Sequence, residues 1–132
     1  MNYPKISQIL NSLYALNRRG IKMGLHHTIS LLNYLKNPQN NFKIIHIAGT
    51  NGKGSTSAMI NNILKYHGYS VGLYTSPHLL RFNERIRVNS SPISNQDIIS
   101  FMKTIKPVMR SIKPTFFEVT TAMAFSYFNK KN

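Results

Sequence analysis

The chain has 132 residues, 42% of them hydrophobic and 11% aromatic, with 17 Lys+Arg against 3 acids and a formal net charge of +14. That is one domain's length, with room for a single core, and the composition excludes collagen-like, mucin-like and wholly disordered chains. The absence of Cys excludes disulfide scaffolds, zinc ribbons and thiol nucleophiles.

The basic residues are scattered, with no block of five or more, so a basic arm is absent and no specific nucleic-acid partner is expected. The chain is also crowded with Asn and Ile, as compositional drift would leave it. No apolar run approaches the roughly 18 residues of a spanning helix. Met1 to Lys5 lacks the basic-then-apolar layout of a signal peptide. A cytoplasmic protein without a membrane partner is expected. Glu84, Asp97 and Glu118 are the whole supply of carboxylates.

In chain order, Pro4 suits a helix start, followed by Ile6, Ile9, Leu10, Leu13 and Leu16 at helical spacing. Gly20 and Gly24 bracket Ile21-Lys22-Met23. A second helix is predicted from about Leu25 to Leu35, with Pro38 beyond its end. Phe42 to Ala48 reads as a buried β-branched strand, and Gly49 to Gly54 as a turn. Ser55 to His67 has helical spacing through Met59, Ile60, Ile63 and Leu64, and Tyr69 to Tyr74 is a second apolar strand. Strand, loop, helix and strand in that order predict a right-handed parallel crossover. Ser76 to Pro92, with His78, Arg81, Arg85 and Arg87, lacks periodicity and reads as a long functional loop. Asn95 to Met109 is predicted as one helix, and Thr115 opens a last helix reaching Phe128.

The segment Ile47-Ala48-Gly49-Thr50-Asn51-Gly52-Lys53-Gly54-Ser55-Thr56 carries the strongest chemical signal. A glycine-rich loop between a strand and a helix turns backbone N–H groups inward around an anion. A lysine there reaches phosphates, and a hydroxyl just after it meets a metal ion. The general phosphate-loop pattern fails at two places: Ile47 stands for its first Gly, and Gly54 separates Lys53 from Ser55. The fold class expected is α/β, a P-loop NTPase-like parallel sheet flanked by helices and incomplete at its C-terminal side.

Gly-Thr-Asn-Gly-Lys-Gly-Ser-Thr resembles the ATP loop of the Mur-ligase superfamily, in the variant of its folate branch of folylpolyglutamate and dihydrofolate synthases. Lys22-Met23-Gly24-Leu25, the stretch Ser76-Pro77-His78-Leu79 running into Arg81–Val88, and Thr115-Phe116-Phe117-Glu118 resemble further motifs of that branch in the same order. The resemblance implies ATP binding by Gly49, Thr50, Asn51, Gly52, Lys53, Gly54 and Ser55. It implies magnesium at Ser76, with Ser55 or Thr56 near the metal. It also implies a pterin-bearing substrate against Ile21, Lys22, Met23, Thr115, Phe116, Phe117 and Glu118. Read without the family, Thr115-x-x-Glu118 is a capping box, Phe116 and Phe117 are core, and Ser76 is a turn serine. Arg81, Arg85 and Arg87 are either a solvated loop or a recognition site for a carboxylate-bearing substrate.

Two departures stand out. Where the family shows an acid and an arginine after the Gly-Leu pair, this chain has His26 and His27, read as surface helix residues. The resemblance also implies further parts beyond residue 132: another core strand with a metal-binding glutamate, a metal-binding histidine, a carbamylated lysine and a C-terminal glutamate-ligase domain. Residues 1–132 are thus expected to be the N-terminal part of an ATP-binding domain. The implied reaction is ATP-dependent addition of L-glutamate to dihydropteroate or folates through an acyl phosphate, by an enzyme monomeric at full length. The catalytic set is incomplete within this chain, so ATP binding without turnover is expected. The alternatives are a non-catalytic truncated remnant that at most binds ATP, and a basic phosphate-loop module for nucleic acid.

Overall fold

The structure, a computed structural model, describes residues 5–131; the expectation for Pro4 lies outside them. Helix α1 is Ile6–Ala15, extended by a 3-10 turn over Leu16–Arg19. Helix α2 is His26–Tyr34, α3 is Lys53–Tyr66, α4 is Asn95–Ile105, α5 is Met109–Ile112 and α6 is Phe116–Lys131. Strands β1 Gly72–Tyr74, β2 Ile86–Val88 and β3 Ser91–Pro92 form one sheet in that order.

Helix α6 is the hub. Val119, Ala122, Met123 and Ala124 are completely buried, together with Leu13 of α1, Leu31 of α2, Ile98 and Ile105 of α4 and Ile86 of β2. A helix apolar on more than one face belongs inside, and the neighbours of α6 cover it from several sides. Truncating Leu13 or Leu31 to Ala would cost roughly 2–5 kcal/mol by the usual transfer and cavity terms.

The helix ends follow local chemistry. The Ser94 hydroxyl accepts the Asp97 amide at 3.0 Å and starts α4. Pro107 brings α4 to an end: residues Lys106–Val108 tighten into a 3-10 turn before α5, since proline brings no amide to the helical ladder. The single helix expected over Asn95 to Met109 is therefore two helices with a break.

The α/β class expected from the sequence holds, but the described strands form an antiparallel sheet and the parallel crossover is not seen among them. β1 pairs antiparallel with β2, Gly72 opposite Val88 and Tyr74 opposite Ile86, and β2 pairs antiparallel with β3. Asn89 and Ser90, both at positive φ, make the two-residue turn whose twist suits a hairpin. The segment Phe42 to Ala48, expected as a buried parallel strand, is not a strand here: residues 43–48 make no backbone hydrogen bond among the described residues. Ile44 and Ile45 are more than half exposed. β-Branched composition favours a pleated backbone, but a strand exists only where a neighbour supplies the ladder. No described segment supplies that ladder here. At its start the Phe42 ring lies 6.1 Å from those of Phe125 and Phe128.

Candidate functional site

Three groups of residues carry the polar chemistry, and the hairpin and α6 bring two of them together. The first is the loop entering α3. Gly52 sits at φ +78° immediately before the first helical residue, Lys53, a conformation open to glycine and costly for other residues. A Cβ at Gly52 or Gly54 would meet nothing within 4 Å, so the approach to the helix start is open. No side chain caps α3; its first amides face outward, and the dipole adds a positive potential there. Lys53 lies back across the loop, its ammonium donating to the Gly49 carbonyl at 2.5 Å and to that of Thr50 at 3.3 Å. Gly49 to Thr56 are all exposed. This arrangement can receive a multiply charged oxyanion.

The second group is the turn after β1. The stretch Ser76–Pro92, expected as an irregular loop, instead contains a 3-10 turn over Phe82–Arg85 and strands β2 and β3, and one carboxylate ties down its first part. Glu84 accepts the amides of Leu79 at 3.0 Å, Leu80 at 3.1 Å and Arg81 at 2.8 Å. The Leu79 and Arg81 amides, with lesser help from Leu80 and Arg87, hold its carboxyl below the usual glutamate range. The Thr75 amide donates to the Arg85 carbonyl at 2.9 Å, which sets Arg85 opposite the start of this turn. Arg85 is not solvated but buried. Its Nε donates to His78 Nδ1 and one terminal nitrogen to Ser76 Oγ, each at 2.8 Å. Its guanidinium carbon stands 5.2 Å from the centre of the Phe116 ring.

The third group joins the start of α6 to the Gly20–Gly24 turn. Arg19 donates to the Pro114 carbonyl at 2.7 Å and Lys22 to that of Lys113 at 3.3 Å. The capping box is formed: Glu118 accepts the Thr115 amide at 2.7 Å, and Thr115 Oγ1 accepts the Glu118 amide at 3.3 Å. The other carboxylate oxygen lies 3.6 Å from Nδ1 of His27. The sequence reading placed both histidines on the surface; His26 is exposed, whereas His27 turns towards Glu118 and its Nδ1 is enclosed. Ile21 and Met23 are almost fully exposed and Phe117 is 63% exposed. Phe116 is half-buried, stacked 5.8 Å from Tyr14.

Thus Ser76 and Phe116 meet through Arg85, and Phe116 leads into Thr115 and Glu118. Arg85 and His27 are the residues that sequence reasoning underrated. Nothing in residue type separates Arg85 from Arg81 or Arg87; only its burial does. Among the described residues no three His, Asp or Glu side chains cluster as a metal site would. The Ser76 hydroxyl keeps one lone pair beyond the bond from Arg85, so it fits as a single oxygen of a largely hydrated magnesium ion. No described helix is long and apolar enough to cross a membrane.

No family model matches the chain. A dihydrofolate synthase/folylpolyglutamate synthase of Bacillus subtilis is 43% identical over 115 residues, covering 83% of this chain and 27% of that protein. The crystal structure of a folylpolyglutamate synthase from Thermotoga maritima superposes with a TM-score of 0.88 at 45% identity, covering 96% of this chain and 31% of its own. A bifunctional folylpolyglutamate synthase/dihydrofolate synthase from Yersinia pestis, complexed with AMPPNP and a manganese ion, gives 0.84 at 33% identity, covering 96% and 31%. The chain therefore spans somewhat under a third of the length of these relatives. It belongs to the folylpolyglutamate synthase/dihydrofolate synthase family.

Proposed function

We propose that this chain binds ATP and a pterin-bearing acceptor for a ligase that adds L-glutamate to dihydropteroate, to folates, or to both. The observation that carries this reading is the open, glycine-lined start of α3 with Lys53 beside it. The nucleotide and metal ion bound to the Yersinia pestis relative support it. Residues 1–132 then form the N-terminal part of an ATP-binding domain, in keeping with the share of the relatives they span.

A carboxylate is a poor electrophile at neutral pH, so amide formation needs activation. An oxygen of the acceptor carboxylate attacks the γ-phosphorus; the bond to the β,γ-bridging oxygen breaks, leaving an acyl phosphate and ADP. The amine of glutamate attacks the acyl carbon, phosphate leaves, and the amine gives up a proton. The amides of residues 52–55 hold the phosphates, and Lys53 turns from its loop carbonyls to the transferred group. Magnesium, with Ser76 as one ligand and Ser55 or Thr56 nearby, would offset phosphate charge. Ile21, Lys22, Met23 and Thr115–Glu118 would face the pterin.

Calorimetry with ATP and magnesium tests the reading, beside a fluorescence titration with dihydropteroate. Binding of both is expected. Lys53→Ala should weaken ATP at least tenfold, about 1.4 kcal/mol. Equal affinity of mutant and parent for ATP would overturn the phosphate-loop assignment.

A further inference from the structure

Arg85 is a buried cation that pairs with no anion among the described residues. It is 9% exposed, and neither of its hydrogen-bond acceptors, Ser76 Oγ and His78 Nδ1, is an anion. None of the three carboxylates answers it. Glu84 is taken up by the amides of Leu79, Leu80 and Arg81, and Asp97 by Lys130. Glu118 is taken up by the Thr115 amide and faces His27. An uncompensated buried guanidinium is unfavourable, and the usual remedy is a paired oxyanion.

The guanidinium has donors to spare. Two of its five N–H groups are used. The second terminal nitrogen, Nη2, makes no hydrogen bond to a described residue and is not among the enclosed unpartnered atoms. Nη2 therefore keeps both of its N–H groups, and Nη1 keeps one. The spare N–H groups of Nη1 and Nη2 suit two-point binding of a carboxylate, which an ammonium could not match.

The geometry points to Arg85 as the residue that binds the reacting carboxylate of the acceptor substrate. This assignment rests on the function proposed above and adds a site to it. Arg85 touches Ser76, on the proposed metal side, and Phe116, within the segment proposed to face the pterin. An anion held there lies between nucleotide and heterocycle, where the carboxylate must be to meet the γ-phosphate. The stacked Phe116 and Tyr14 rings wall one side. His78 and Ser76 fix the fork in the manner of positioning groups, by bonding to Nε and Nη1.

The test compares dihydropteroate with its carboxamide, which keeps the heterocycle and loses the charge. The whole chain is used with magnesium and AMPPNP, acceptor binding is read by pterin fluorescence, and ATP binding by calorimetry. The parent should prefer the carboxylate by at least about tenfold. Arg85→Gln should bring the two ligands within about twofold of each other, and Arg85→Lys should restore part of the preference. A purely structural role would weaken both ligands equally and leave their ratio intact, which overturns the assignment. Loss of ATP affinity in Arg85→Gln with the preference retained overturns it in favour of a nucleotide phosphate. Should Arg85→Gln not fold, the Arg85 Nε–H resonance of the parent decides: a shift with dihydropteroate but not with the carboxamide is expected, and no shift overturns it. No ATP binding in the parent overturns the proposed function and this site together. ATP binding without carboxylate preference overturns the site alone.

Discussion

Gly72 of β1 lies flat against the ring of Phe128 on α6: a Cβ at Gly72 would stand 2.5 Å from Cδ1 and 2.7 Å from Cε1 and Cγ. No carbon approaches another so closely without displacing it. The absent side chain is thus what lets the hairpin settle on the hub helix. Gly72→Ala should destabilise the protein by about 1–3 kcal/mol, the ordinary cost of overpacking. Adding Phe128→Leu should recover part of the loss. Urea unfolding of the single and double variants checks this, and additive losses would mean that the two residues do not meet.

The start of α6 gives a second measurable cost. Glu118 is buried and accepts the Thr115 amide at 2.7 Å. Glu118→Ala removes that acceptor and leaves a buried N–H without a partner, so it should cost about 1–3 kcal/mol. Glu118→Gln keeps a carbonyl oxygen in place and should cost less than half as much. Thermal unfolding of the pair tests this; equal losses would place the effect in the charge facing His27 rather than in the cap.

This box was legible in the sequence because it is local: Thr115 and Glu118 find each other through three residues of backbone. The same holds for α2 and for the bulk of α3, where apolar spacing alone gives the helix. What failed to read out was non-local. Phe42 to Ala48 has strand composition, but a ladder depends on a neighbour that its own residues cannot specify. Arg85 has no local mark at all; its burial comes from a hairpin that folds it under Phe116. His27 likewise turns inward only because α2 lies against the start of α6. Pro107 was readable as a helix break, and the apolar run Ile98–Ile105 masked it.

Asp97 supplies the pH dependence. Burial pushes its carboxyl up, but hydrogen bonds from Lys130 at 2.6 Å and Ser94 at 2.7 Å outweigh burial and hold it below its ordinary value of 3.8. A carboxyl depressed by folding contributes stability that is complete above the unfolded value and is lost as pH falls through the folded one. Stability should therefore be insensitive to Asp97 between pH 7 and 5, and should drop below about pH 4. Lys130 is 63% exposed, so water screens the pair and its contribution is small. Denaturant melts of parent and Asp97→Asn across that range should converge at low pH. A constant gap down to the lowest pH would show that Asp97 is not titrating.

Gly52 separates the folding of the phosphate loop from its chemistry. Its φ of +78° makes any larger residue strained there, at roughly 1–2 kcal/mol for an L side chain in the left-handed region. Gly52→Ala should lower stability by about that amount, because no atom within 4 Å opposes the new methyl. The methyl group would, however, project at the mouth of α3, where phosphate oxygens are proposed to meet the amides of residues 52–55. If the loop holds ATP, its affinity should fall by more than tenfold, beyond the 1.4 kcal/mol that marks a factor of ten. Gly68→Ala offers a control, since Gly68 sits at φ +85° with the same open surroundings but at the far end of α3. It should show the same loss of stability and unaltered ATP binding. Calorimetry on both variants, beside their unfolding curves, separates strain from occlusion. Equal ATP affinities for the two would remove the phosphate loop from the start of α3 and leave Gly52 a purely conformational residue.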